Sequence, residues 1–289
     1  MSKLFFITAL IFAAFLLQSC KSANSQAIET QNGNYTPPIS ETKTRVSSNG
    51  KAEFKGVSFS YDPQVFGEVK AEEVAEFVLE GEDHKPDNVA PAHRYFEFEL
   101  PKAEYNKLYL SVYPLADFPR MYAVSKVYEE SMKKEVNDLE KVVIDKDFRV
   151  EGQIPFLKFY DASQSFQKKV KHSSFPNGQG ILFLTHWDIE FAFIGNRQLR
   201  YVFQGITNDK KYYVLAEMPA SVDFLPYEAT DEFEGMKIPY GKLRDENAIR
   251  KIESFKQKIA DRLDKLPANK FNPDLKYFEE IISSLKIEQ

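Results

Sequence analysis

Apolar and polar residues alternate along several short stretches of this chain, and these alternations predict β-strands. Val57, Phe59 and Tyr61 share one face, with Ser58 and Ser60 on the other. Phe96, Phe98 and Leu100 alternate with Glu97 and Glu99, and Leu108, Leu110 and Val112 with Tyr109 and Ser111. Each stretch predicts a half-buried antiparallel strand with a wet outer face. The strongest sheet signal runs over residues 181–218. There Ile181, Phe183, Trp187, Ile189, Phe191 and Phe193 read as one strand, and Leu199, Tyr201 and Phe203 as the next. A two-residue loop between them would set Phe191 on the face of Arg200 and Val202. A three-residue loop, Gly195-Asn196-Arg197, pairs Phe191 with Tyr201 and Ile189 with Phe203, and is the expected register. A two-residue turn at Asn208-Asp209 then pairs Phe203 with Val214 and Tyr201 with Ala216.

Elsewhere the period changes to that of a helix. Asp117 and Pro119 mark one start, followed by Met121, Val124, Tyr128, Met132, Val136 and Leu139. Near the end, Ile249, Ile252, Phe255, Ile259, Leu263 and Leu266 make a second stripe. Leu275, Phe278, Ile281, Ile282 and Leu285 make a third, opened by Asn272-Pro273. Strands in two groups, with helices between and after them, predict an α+β fold: an antiparallel sheet with helices laid on one face, the last two at the C-terminus. No internal repeat or second linker interrupts residues 54–289, which are expected to form a single domain.

The first twenty residues follow a different pattern. Lys3 precedes an uncharged apolar run of fourteen residues, Leu4 to Leu17. That is short for ~30 Å of hydrocarbon but suits the apolar region of a signal peptide. The run stops at Leu17-Gln18-Ser19-Cys20, and Cys20 is the only cysteine. Downstream, residues 20–53 are rich in Ser, Asn, Gln, Thr and Glu, with no apolar period. Such composition cannot bury enough surface to offset ordering entropy, so a disordered tether is expected there.

The Leu17–Cys20 stretch resembles the lipobox of bacterial lipoproteins, in which a leucine and a small residue precede the cysteine. Leu17 and Ser19 match that pattern, while Gln18 is larger than its usual occupant. The resemblance implies removal of residues 1–19 and acylation of Cys20. Two or more acyl chains hold a protein firmly to a membrane, at about 0.8 kcal/mol per buried methylene. The alternatives are a plain secretory signal and an uncleaved anchor. Lys21 stands where an aspartate would favour inner-membrane retention, which points to the outer membrane in a cell that has one. The order of strands and helices, with "YVFQGITNDKKYYVLAEMP" as two late strands, is also similar to the PsbP-type α/β/α layout and to uncharacterised envelope lipoproteins. No functional residue carries over from that likeness.

Charge narrows the partners. With 43 acidic and 38 basic residues the net charge is −5, which argues against nucleic acid, whose phosphates demand a basic face. The 25 Phe and 15 Tyr suit an aromatic-rich β core. Nucleotide-binding glycine loops, serine-hydrolase elbows and zinc-protease motifs are absent from the sequence. No cofactor is implied.

Two groups carry candidate chemistry. In "HWDIE", strand geometry would point His186, Asp188 and Glu190 the same way, with Cα atoms about 6.6–6.8 Å apart, fit for a divalent metal or a shared proton. Alternatively they form the wet face opposite Trp187 and Ile189, with Glu190 diagonal to Arg200. In residues 80–93, His84 and His93 join several carboxylates on a proline-containing loop. That mixture is found in metal sites, although the spacing matches no defined ligand set and His93 can simply pack at a strand start. The expectation is therefore a non-catalytic envelope lipoprotein, held by its acyl chains, whose domain binds or supports another envelope protein. An envelope hydrolase or metal-dependent enzyme using these residues is the second reading, and a small-ligand carrier with an aromatic-lined pocket the third.

Overall fold

The computed structural model describes residues 44–78, 89–100, 107–123, 125–146, 154–158, 162–188, 192–240 and 245–288. All of them belong to one compact unit beginning at Ser40. In chain order its strands are β1 (Thr44–Arg45), β2 (Ser47–Ser48), β3 (Lys51–Phe54), β4 (Val57–Ser60), β5 (Val69–Val74), β6 (Phe77–Val78), β7 (Val89–Ala90), β8 (His93–Phe98) and β9 (Leu108–Pro114). After the helices α1 (Asp117–Met121) and α2 (Lys126–Val143) come β10 (Ser163–Phe175), β11 (Gly178–Asp188), β12 (Leu199–Thr207), β13 (Tyr212–Pro219), β14 (Glu232–Phe233) and β15 (Met236–Lys237). The helices α3 (Glu246–Lys265) and α4 (Leu275–Ser284) precede the last strand, β16 (Lys286–Ile287). The fold is α+β.

Eight strands build an antiparallel sheet in the order β1-β5-β8-β9-β13-β12-β11-β10, and β16-β4-β3-β2 form a smaller one. The main sheet is buried on both faces. One face carries Leu182, Leu184, Tyr201 and Phe203 and packs against Phe278, Ile281 and Ile282 of α4 and against Val57 and Phe59 of the small sheet. The other carries Ile181, Phe183, Val202 and Tyr213 and meets Phe118, Met132 and Leu139 of the first helix pair. Helices thus lie on both faces, not on one as the sequence pattern predicted. A strand buried on both sides reads as a continuous apolar run, and "ILFL" at 181–184 has that form.

Four other expectations change. The predicted helix over 117–139 is two helices, with Tyr122 ending the first and Ser125 opening the second. The predicted tether ends earlier than residue 53: Thr44 pairs with Ala71, and Ala52 with Phe59. The first two of these strands are two polar residues each, and β3 alternates over only four, Lys51-Ala52-Glu53-Phe54, too little to reveal them. β12 and β13 pair Phe203 with Ala216 and Tyr201 with Met218, a shift of two residues that leaves every side chain on its expected face. β11 ends at Asp188, and Leu184, not Phe191, lies opposite Tyr201. The pairing of these two strands closes with His186 opposite Leu199, so they are not joined by the expected three-residue turn.

The edge strand β10 bends through two irregularities, between Gln164 and Gln167 and between Lys168 and Lys171. At the second, Lys169 has a φ of 53° and its backbone N–H donates 2.6 Å to the Asp264 carboxylate of α3. Bulges, lysines and a helix end against this strand all oppose pairing with another chain.

Candidate functional site

Several chemically versatile side chains meet at the end of β11. His186 is 2% exposed. Its Nε2 accepts a hydrogen bond from the Gly195 backbone N–H at 3.2 Å. An accepting Nε2 carries no proton, so the proton sits on Nδ1 and is donated to Asp188 Oδ1 at 2.9 Å. Ser165, from the first bulge of β10, brings its hydroxyl to 3.3 Å from the same Nδ1. Asp188 Oδ2 accepts from Lys256 Nζ of α3 at 3.1 Å.

Burial pushes the Asp188 carboxyl up, but hydrogen bonds from His186 and Ser165, with the charge of Lys256, outweigh it. The group is held below the usual aspartate value. Lys256 and Asp188 are mostly shielded, their side chains 15% and 18% exposed.

Serine, histidine and aspartate meet here without the connectivity of a nucleophilic triad. In such a triad the carboxylate holds one ring nitrogen and the serine hydroxyl uses the other. In this site both approach Nδ1, and Nε2 is occupied by the backbone of Gly195. The ring has no free nitrogen to take a serine proton. What the grouping does is join four pieces of chain: the end of β11, the bulge of β10, the 195–198 connection and α3.

Of the sequence candidates, His186 and Asp188 are brought together, and they are shielded side chains, not a wet strand face. Trp187 points away and packs its ring against Phe156 at 5.2 Å. Glu190 lies outside the described residues, as do His84 and Cys20. His93 opens β8, stacks on Tyr113 with ring centroids 4.4 Å apart, and makes a 2.8 Å hydrogen bond with the Pro91 carbonyl. Burial lowers its pKa to about 4. Among the described residues, no three His, Cys, Asp or Glu side chains converge on a point where a metal ion could sit. A surface groove of about 280 Å³ runs beside α2, lined by Asn137, Glu140, Lys141, Ile144, Asp145 and Lys210. Among the described residues its lining is mostly charged or amide side chains, without an aromatic ring.

Ser165, Gly195 and Lys256 were not legible as site residues. Ser165 is turned inward by a bulge, and Lys256 sits 68 residues beyond Asp188. The charged side of an amphipathic helix is ordinarily assigned to solvent.

No family model, curated protein or solved structure matches this chain.

Proposed function

We propose that the chain is a bacterial lipoprotein, acylated on Cys20, that holds its α+β domain at the cell-envelope membrane to bind or support another envelope component. The observation that carries this reading is Leu17-Gln18-Ser19-Cys20, placed where an apolar run ends and containing the sole cysteine of the chain. Residues 21–43 have the composition of a spacer. A chain of that length spans about 25 Å at ~5–6 Å × √n, enough to stand a domain off the headgroups. A binding or supporting role, rather than catalysis, is favoured by His186, both of whose ring nitrogens are engaged in holding structure.

The test is the full-length chain beside Cys20→Ser, expressed in a Gram-negative host and labelled with a radioactive fatty acid. The unsubstituted chain should incorporate label and sediment with membranes. The variant should take no label and leave the membrane or accumulate as precursor. Equal labelling and sedimentation of both would refute the proposal.

A further inference from the structure

The two long helices carry their charge in opposite ways. On α2 every lysine is matched with a carboxylate one turn away: Lys126 with Glu130, Lys133 with Glu129, and Lys134 and Lys141 both with Asp138. Such pairing is what a solvated helix face ordinarily shows. α3 sorts its charges instead. Lys251, Lys258, Arg262 and Lys265 fall within about 60° of one another around its axis, and Glu246, Glu253, Asp261 and Asp264 occupy the flank beside them. Two of those carboxylates are taken by the sheet edge, where Asp261 binds Lys168 at 2.7 Å and Asp264 accepts from the Lys169 N–H.

The basic flank keeps its charge. Arg262 lies 3.6 Å over the Phe224 ring and pairs with Glu234 at 3.0 Å. Lys251, Lys258 and Lys265 are exposed, and among the described residues no carboxylate is paired with any of the three. The helix dipole accounts for cations in the last turn, Arg262 and Lys265, but not for Lys251 in the second turn or Lys258 in the middle. Seven residues apart, the three lysines form a row about 21 Å long at ~1.5 Å per residue.

We propose that this row is a second attachment point, which, on the reading that Cys20 is acylated, lays the α3 side of the domain on anionic phospholipid headgroups. A tether of about 25 Å keeps the domain within reach of a bilayer, so lipid phosphates are the anions the row meets at the highest local concentration. Each basic side chain near an anionic bilayer strengthens attachment about fivefold, and three together amount to on the order of a hundredfold. That is weak for a free protein but ample for one already held at the surface. The net charge of −5 would by itself repel the same headgroups, so only the face that carries the row is drawn in. α3 packs on β10, at the opposite edge of the main sheet from β1, the first strand after the tether. The two edges are on the order of 30 Å apart at ~4.8 Å per strand. Attachment at both would fix the width of the sheet along the bilayer, whereas the tether alone leaves the domain free to turn.

The experiment reads the posture of the acylated chain, purified from a Gram-negative host and reconstituted into vesicles that carry a headgroup energy acceptor. Ser254 is exposed between Lys251 and Lys258. With Cys20 acylated, Ser254→Cys offers the only free thiol for a donor fluorophore. Ser131→Cys, on α2 against the other face of the sheet, is the control. The vesicles are phosphatidylcholine alone or with about 30% phosphatidylglycerol. Transfer from Ser254→Cys should be roughly twofold higher on the anionic vesicles at about 0.05 M salt, and fall to the neutral value at about 0.5 M, where charges are screened within about 4 Å. It should fall likewise when Lys251→Gln, Lys258→Gln and Lys265→Gln are combined, substitutions of exposed, unpaired side chains that leave the fold intact. Transfer from Ser131→Cys should not rise.

Equal transfer on the two compositions would overturn the proposal and give the row to an acidic protein surface instead. A rise that survives the triple substitution would overturn it as well. Co-flotation with the neutral vesicles is read first and reports on acylation alone. A chain that floats only with the anionic vesicles, and not after the triple substitution, would refute the anchor while supporting the row. One that floats with neither would refute both.

Discussion

The Tyr213 hydroxyl donates a 2.7 Å hydrogen bond to the side-chain carbonyl of Gln204, and neither residue is reached by solvent. The amide of Gln204 in turn donates to the Pro155 carbonyl at 2.9 Å, which ties the 154–158 segment to the sheet. A parallel clamp lies at its edge, where Gln167 accepts from Ile154 N at 2.7 Å. A fully satisfied polar group in a core costs little, but removing one partner strands the other. Tyr213→Phe should therefore destabilise the domain by about 1–3 kcal/mol through the orphaned Gln204 oxygen. Denaturant unfolding followed by fluorescence checks this, with a lowered midpoint at unchanged slope as the expected result.

Gly180 and Gly205 face each other across β11 and β12, and the Phe203 ring lies over both. A Cβ at Gly180 would collide with that ring and with the Gln204 carbonyl. One partner of the collision is backbone in the adjoining strand, so the clash cannot be relieved by a rotamer change alone. Gly180→Ala should cost about 1–3 kcal/mol, in spite of alanine being the more constrained residue in the unfolded chain. Calorimetry would read this as a drop of several degrees in Tm. An unchanged Tm would mean that the two strands separate more easily than their packing implies.

His93 gives the domain a pH dependence of definite sign. In the unfolded chain it titrates near 6.5, while burial in the fold lowers this to about 4. The unfolded chain thus binds the proton first as pH falls. Its contribution is complete above the unfolded value, declines from there, and is lost below about 4, at a total of roughly 3 kcal/mol. His93→Phe should preserve the stack on Tyr113 and flatten stability between those limits. The check is a series of urea titrations across that range, in which the slope with pH should be shallower for the variant.

The pattern along the chain revealed more about faces than about partners. Tyr201 and Phe203 lie on the face expected of them although β13 pairs two residues out of the expected register, because an even shift preserves side-chain direction. Phe193 shows where this kind of inference ends. Its alternation with Phe191 imitates a strand, yet it leaves the sheet and buries itself against α3. Periodicity records that a side chain is buried, not in which cluster. Thr44 and Arg45 err in the other direction, since a two-residue edge strand with exposed side chains carries no apolar signal. At the end of β11 the alternation correctly set His186 and Asp188 on one side. Their meeting with Lys256 depends on how α3 crosses the sheet, which no local pattern encodes.

Mass spectrometry of the N-terminal peptide from protein purified out of native membranes reads directly what is attached at Cys20. The expected peptide begins at Cys20 and carries the mass of a diacylglyceryl group, with or without a further acyl chain on its amine. A peptide that begins elsewhere, or one that contains an unmodified Cys20 thiol, would contradict the proposed acylation.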